Sequence, residues 1–189
     1  LISKLEIENE HSEVVDQIGA VLQLSLPISS ININVEELQK LVENIDAVEF
    51  ARIRIREDGV LFVYAEERKP AVIYRVLDEL MLLDKSGKRI GEIFSRSDRT
   101  DLPLILGKGG NFHIDQALKL MIEMGNQIIR LRGLIYVGER RWNIELKNDQ
   151  FIYLPEEKPL EALKRVIALH TTVNLLNLPI TIVDMRDPA

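Results

Sequence analysis

Residues 51–56 read Ala-Arg-Ile-Arg-Ile-Arg, a strict alternation that puts Ala51, Ile53 and Ile55 on one side of an extended chain and Arg52, Arg54 and Arg56 on the other. A helix cannot use this pattern, because at 3.6 residues per turn the charges would wrap around every face. Asp58-Gly59 follows directly, two residues able to take the positive φ of a tight turn, and Val60 to Ala65 returns as the partner strand. The chain must therefore be built around a hairpin with one apolar and one basic face.

The preceding residues supply a strand and two helices. Ile2, Lys4, Glu6 and Glu8 stand in phase against Leu5 and Ile7, which predicts a half-buried strand. Val14, Ile18, Val21 and Leu22 then recur at helical spacing behind a predicted Ser12 cap. Past a breaker containing Pro27, Ser29 and Ser30, Asn34 with Glu37 three residues on predicts a capping box, and Leu38, Leu41, Val42 and Ile45 form the stripe of a second helix. This gives a first module, β-α-α-β-β, over residues 1–67, bounded by the charged run Glu66 to Pro70.

Residues 68–189 predict a second module that is mostly sheet with two helices. Ala71 to Leu77, Leu80 to Leu83 and Lys88 to Ile93 suggest a meander turning at Asp84 to Gly87, and Leu102 to Leu106 adds a short apolar run. Ile114, Leu118, Met121, Ile122, Gly125, Ile128 and Ile129 predict a helix after an Asn111 cap. Leu134 to Gly138, Trp142 to Leu146 and Gln150 to Leu154 read as strands. A long helix opens at Pro159 with Leu160, Leu163, Ile167 and Val173 on one face, and Ile180 to Met185 is the last strand. The fold class expected is thus α+β, with a mostly antiparallel second domain.

Charge follows the same division. The first 50 residues hold ten acids and two bases, the remainder twenty acids and twenty-two bases. The net charge of −6 argues against a general polyanion binder such as a nucleic-acid protein. With no Cys there is no disulfide framework, thiolate zinc site or Cys nucleophile. No window reaches the ~20 apolar residues of a membrane span. The chain starts at Leu1 instead of Met, so it reads as a processed product or a piece of a longer protein.

Few residues suggest chemistry. His11, His113 and His170 are far apart, and only His113 has a second potential ligand, Asp115, beside it, so no metal is expected. Gly107-Lys108-Gly109-Gly110 lacks the spacing and the Lys-Ser/Thr pair of a phosphate loop and reads as a turn before a helix; no nucleotide or other cofactor is expected. No nucleophile motif or Ser/His/Asp arrangement appears, and a hydrolase built from isolated acids would need a polar pocket with converging carboxylates. Arg52, Arg54 and Arg56 are either a solvated face or a contact for an acidic partner. Arg140-Arg141 before the single Trp142 is either a pair of surface charges flanking a core aromatic or an arginine pair beside an interface anchor.

The order of short motifs carries more than any one of them: Val48-Glu49-Phe50-Ala51-Arg52-Ile53-Arg54, Glu67-Arg68-Lys69-Pro70-Ala71, Leu83-Asp84-Lys85-Ser86-Gly87, Leu102-Pro103-Leu104, Arg140-Arg141-Trp142-Asn143-Ile144-Glu145-Leu146 and Ile182-Val183-Asp184-Met185-Arg186. The series resembles the extracytoplasmic region of the FtsQ/DivIB family of bacterial cell-division proteins and spans nearly the whole chain. It departs from the family pattern at Ala47, where an aromatic often stands, and around Glu8-Asn9, where Gly is frequent. The resemblance implies a POTRA domain over residues 1–67 followed by the family's β domain over 68–189. It also implies a parent protein held in the inner membrane by a single helix, with this region in the periplasm at the division septum.

The implied function is a non-enzymatic scaffold of the divisome that binds FtsB and FtsL and links them to septal peptidoglycan synthesis. The implied partner site comprises Arg140, Arg141, Ile182, Val183, Asp184, Met185, Arg186 and Asp187, with the final strand as an open edge. Arg52, Arg54 and Arg56 form a secondary candidate in the first domain. The competing expectation is a POTRA-bearing periplasmic module of an outer-membrane secretion or assembly system.

Overall fold

A computed structural model describes residues 1–187; Pro188 and Ala189, the last two of the second expected domain, lie outside the described residues. The chain forms two compact units, Leu1–Lys69 with Arg89–Gly91, and Pro70–Lys88 with the residues from Glu92 onward.

The first unit contains β1 (Lys4–Glu8), α1 (Ser12–Leu22), α2 (Val35–Glu43), β2 (Val48–Ile55) and β3 (Val60–Glu67). Its three-stranded sheet runs β1-β3-β2, with β1 parallel and β2 antiparallel to β3. Gly59 takes φ +78° in the hairpin turn, and a Cβ there would stand 2.7 Å from the Leu1 carbonyl oxygen. Both helices cover one face of the sheet, where Ile2, Ile18, Val42, Val48, Ala51, Leu61 and Val63 are fully buried. As the sequence predicts, Asn34 caps α2 by accepting from the Glu37 N–H at 3.3 Å. The entry to α1 differs from the predicted Ser12 cap. His11 occupies the cap position with its side chain turned to Glu67 instead of capping the helix, and Asn9 Oδ1 accepts from the His11 N–H at 2.8 Å. Leu41, predicted on the apolar stripe, is exposed.

The remaining elements are β4 (Val72–Val76), β5 (Glu79–Leu83), β6 (Arg89–Ile93), β7 (Leu104–Leu106), α3 (Ile114–Met124), β8 (Leu131–Val137), β9 (Arg141–Leu146), β10 (Phe151–Tyr153), α4 (Pro159–Val173) and β11 (Ile182–Asp184), all in the second unit except Arg89–Gly91 of β6. The eight-stranded sheet runs β11-β10-β9-β8-β7-β4-β5-β6. Its longer ladders are antiparallel, while the three-residue strands β7 and β11 join in parallel. The described residues are therefore α+β, with four α-helices and two sheets.

The core of this unit is formed between the sheet and the helices α3 and α4 by Trp142, Ile144, Leu146, Ile152, Leu134, Ile105, Leu120, Met124, Ala162, Leu163 and Val166. Trp142 is fully buried, its ring 4.7 Å from that of Tyr136, and its Nε1–H donates to Gln116 Oε1 at 2.8 Å. Of the two readings of this tryptophan, the core aromatic is the one the fold uses. Helix α3 turns inward a face that only partly matches the one predicted: Ile114 and Met121 are buried and Leu118 packs on the core, but Ala117, Leu120 and Met124 are buried with them, and Ile122 and Ile129 are exposed. The helix stops at Gly125, where φ is +51°, and the following residues form 3-10 turns, so the 3.6-residue frame does not run through to Ile129. Val173, assigned to the α4 stripe, is likewise exposed.

Candidate functional site

Strand β11 is the end strand of the large sheet. It pairs in parallel with β10, Phe151 opposite Ile182, Ile152 opposite Val183 and Tyr153 opposite Asp184. In a parallel ladder each residue directs its N–H and C=O to the same side, and successive residues alternate sides. The Phe151 N–H donates to the Thr181 carbonyl at 2.8 Å and the Met185 N–H to the Tyr153 carbonyl at 2.9 Å, so 181, 183 and 185 face β10. Ile182 and Asp184 therefore direct their backbone groups away from the sheet, and among the described residues no strand meets them.

Three side chains distant in sequence hold the approach to β11. Gln150 donates through Nε2 to the carbonyls of Leu178 and Ile180, at 3.0 and 2.9 Å. His170 Nδ1, on the buried side of α4, accepts from the Leu176 N–H at 3.2 Å, which makes it a satisfied core histidine. Arg130 donates to the Leu176 carbonyl at 3.2 Å and to Asn177 Oδ1 at 2.7 Å. None of the three stands out in the sequence, because the bonds connect residues 6 to 47 apart.

The expected site residues divide among different roles. Val183 belongs to the core, and Met185 packs against it. Ile182, Asp184, Arg186 and Asp187 are exposed. Arg186 is not free for a partner as it stands. Its guanidinium grips Asp184 through two hydrogen bonds, Nε to Oδ1 at 2.8 Å and Nη2 to Oδ2, and lies 5.0 Å from the Tyr153 ring centre. That grip, reinforced by the Arg186 N–H and by the nearby Arg141, holds the Asp184 carboxyl down at about 2. Arg140 reaches Glu156 at 3.8 Å, a loose surface pair. Arg141 is half-buried, and its Nε is buried without a hydrogen-bond partner among the described residues. Asn143, on the same sheet face and opposite Tyr153, also has a buried, unpaired Oδ1. A cleft of about 380 Å³ runs from this end of β11 to the start of α4, lined by Glu156, Lys158, Glu161, Arg165, Met185 and Arg186.

Arg52 and Arg54 project from β2, also an end strand, and Arg56 follows directly after it. Arg56 is engaged with Glu6 and Asp58 at 2.8 and 2.7 Å; Arg52 and Arg54 form no ion pair among the described residues. Among the described residues no group of three or more His, Asp or Glu could hold a metal ion. His113 stacks 4.8 Å from Tyr136, and the glycine segment makes tight turns with φ +99° at Gly107 and +81° at Gly109.

The family model described as cell division protein FtsQ/DivIB, C-terminal, matches residues 71–186, which hold all of β11. The chain belongs to the FtsQ/DivIB family. It is 39% identical over 186 residues to the cell division protein FtsQ of Cereibacter sphaeroides, covering 98% of this chain and 60% of that one. It is 42% identical over 190 residues to the FtsQ protein of Paracoccus denitrificans, covering 100% and 56%. For the FtsQ protein of Roseobacter litoralis the values are 39% over 186 residues, 98% and 64%. The chain thus spans less than two thirds of the length of these FtsQ relatives. FtsQ/DivIB membership places it among the bacterial cell-division proteins. Among the described residues no helix is long and apolar enough to cross a membrane.

Proposed function

We propose that this region is the periplasmic part of a non-enzymatic division scaffold, held in the inner membrane at the septum by a helix of the parent protein. It binds FtsB, and with it FtsL, and so connects them to septal peptidoglycan synthesis. The β-α-α-β-β order of the first unit supports reading residues 1–67 as a POTRA domain and 68–189 as the family's β domain.

The observation that carries this reading is the free side of β11. The N–H and C=O groups of Ile182 and Asp184 offer up to four backbone hydrogen bonds to an extended FtsB segment, independent of that segment's side chains. Side-chain selection falls first to Arg141, which stands on β9, two strands inward from β11, with a buried N–H unpaired among the described residues and its charge felt at Asp184, and then to Arg140. A carboxylate of FtsB reaching Arg141 would satisfy that donor with a charge-assisted bond. Arg186, clasped to Asp184, shapes the end of the strand, and Asp187 lies just beyond it.

Ile182→Pro tests the backbone term, because it removes one outward N–H while leaving the ladder to β10 intact, and proline is tolerated on sheet edges. Binding of the cognate FtsB segment, measured by calorimetry on the folded chain, is expected to fall at least tenfold, and Arg141→Gln to lower it about tenfold or more. Unchanged affinity in both variants would place the FtsB site elsewhere.

A further inference from the structure

The small sheet has an open edge of its own, and the groups around it specify a ligand. The Arg56 N–H donates to the Val60 carbonyl at 2.9 Å, so in the antiparallel ladder 56, 54 and 52 exchange hydrogen bonds with β3. Ala51, Ile53 and Ile55 therefore turn their backbone groups outward. The Ala51 N–H is already taken by Glu43 Oε1 from α2 at 3.2 Å, and Gln39 holds that carboxylate at 3.0 Å. What stays open among the described residues is the stretch around Ile53 and Ile55, each with an N–H and a C=O facing outward.

On the open face beside that stretch stand Arg52 and Arg54. Their guanidiniums lie over aromatic rings, Arg52 at 5.0 Å from the Phe50 centre and Arg54 at 4.9 Å from that of Phe62. The rings hold two long side chains extended and use no hydrogen-bond donors, so the forks of both arginines are ordered and unpaired. The acids on the same face are Glu66 of β3, opposite Phe50 and diagonal to Arg52, and Glu6 and Glu8 of β1, two strands away across Phe62 and Tyr64; none of them is ion-paired to Arg52 or Arg54 among the described residues. A concavity of about 600 Å³ lies here, lined by Gln39, Arg52, Ile53, Arg54, Phe62 and Tyr64, with Glu8 of β1 at its far side.

We propose that the free edge of β2 is a second docking site, for an extended protein segment with carboxylates at alternate positions. A strand hydrogen-bonded to Ile53 and Ile55 places its residues i and i+2 beside Arg52 and Arg54, on the face where both guanidiniums wait. Neutral side chains at the intervening position face Ile53 and α2. The Glu43 carboxylate at Ala51 ends the pairing, which fixes the register of the added strand. This site uses a different sheet and different residues from β11.

The probe is a fluorescein-labelled peptide of alternating Glu and Val, compared with versions in which Gln or Lys replaces every Glu. Anisotropy on the full chain is expected to show saturable binding of the Glu peptide at least tenfold tighter than the Gln peptide, with no binding of the Lys peptide. Hydrogen exchange at the Ile53 and Ile55 amides is expected to slow on binding. Arg52→Gln with Arg54→Gln, on the exposed face, is expected to lower the affinity at least tenfold with an unchanged amide spectrum elsewhere. The proposal is overturned if the Glu peptide does not bind, if it binds without protecting those two amides, or if the double variant binds it equally well. It is also overturned if only anionic phospholipid vesicles, and not the peptide, show an interaction that depends on the two arginines.

Discussion

Asp184 and Arg186 stand two residues apart at the end of β11, on the same side of the extended chain, which is why they meet each other before meeting a partner. Because the Asp184 carboxyl titrates at about 2, below its ordinary value, the clasp contributes fully above the usual carboxylate range near 4 and is lost as pH falls through about 2. Its titration therefore leaves partner binding flat between about pH 5 and 8. In Arg186→Gln the Asp184 carboxyl is expected to rise toward about 4, read by carbon NMR of the side chain. A value still near 2 would assign the depression to Arg141. Gly107 sets a different kind of limit, with φ +99° and a would-be Cβ 2.1 Å from the Tyr136 carbonyl oxygen. Gly107→Ala is expected to cost about 2–3 kcal/mol in urea unfolding, since strain and backbone overlap act together.

Strand β11 is only three residues long, so its place in the sheet depends on what leads into it. Gln150→Leu removes both bonds to the Leu178 and Ile180 carbonyls and leaves two acceptors without their donor, at a cost of roughly 1–3 kcal/mol. Faster hydrogen exchange at the Val183 and Met185 amides, the two that donate to β10, is the expected sign; unchanged exchange there would mean that His170 and Arg130 suffice. These pins explain what the sequence conceals. Local patterns made the hairpin at Asp58-Gly59, the Asn34 cap and the Pro159 start legible, because each depends on neighbours within four residues. The Gln150, His170 and Arg130 contacts span long separations and leave no periodic trace. Helix α3 is only half legible for another reason: Ile122 is as apolar as Leu120 and Met124, so the pattern does not choose between overlapping faces, and the stop at Gly125 takes Ile129 out of the helical frame. The expected partner residues rest on resemblance, and the pairing of Arg186 with Asp184 and Tyr153 follows from strand geometry that motif order does not express.

At the scale of the whole molecule, each unit has a hydrophobic core of its own, one around Ile18, Leu61 and Val63 and the other around Trp142, Ile144 and Leu163. A large-to-small change removes contacts only from the core that contains it. Trp142 is the single tryptophan, so its fluorescence reports the second core alone. Ile18→Ala empties a fully buried position at a cost of about 2–5 kcal/mol. It is expected to lower the urea midpoint of the first unit, followed by NMR intensity of the Val63 and Ala65 amides, by roughly 2 M. The fluorescence midpoint is expected to stay in place. Leu163→Ala reverses the pattern, moving fluorescence and leaving those amides where they were. If either substitution shifted both probes by the same amount, the chain would unfold as one cooperative body, and a lesion in the first core would then weaken the β11 site as much as one beside it.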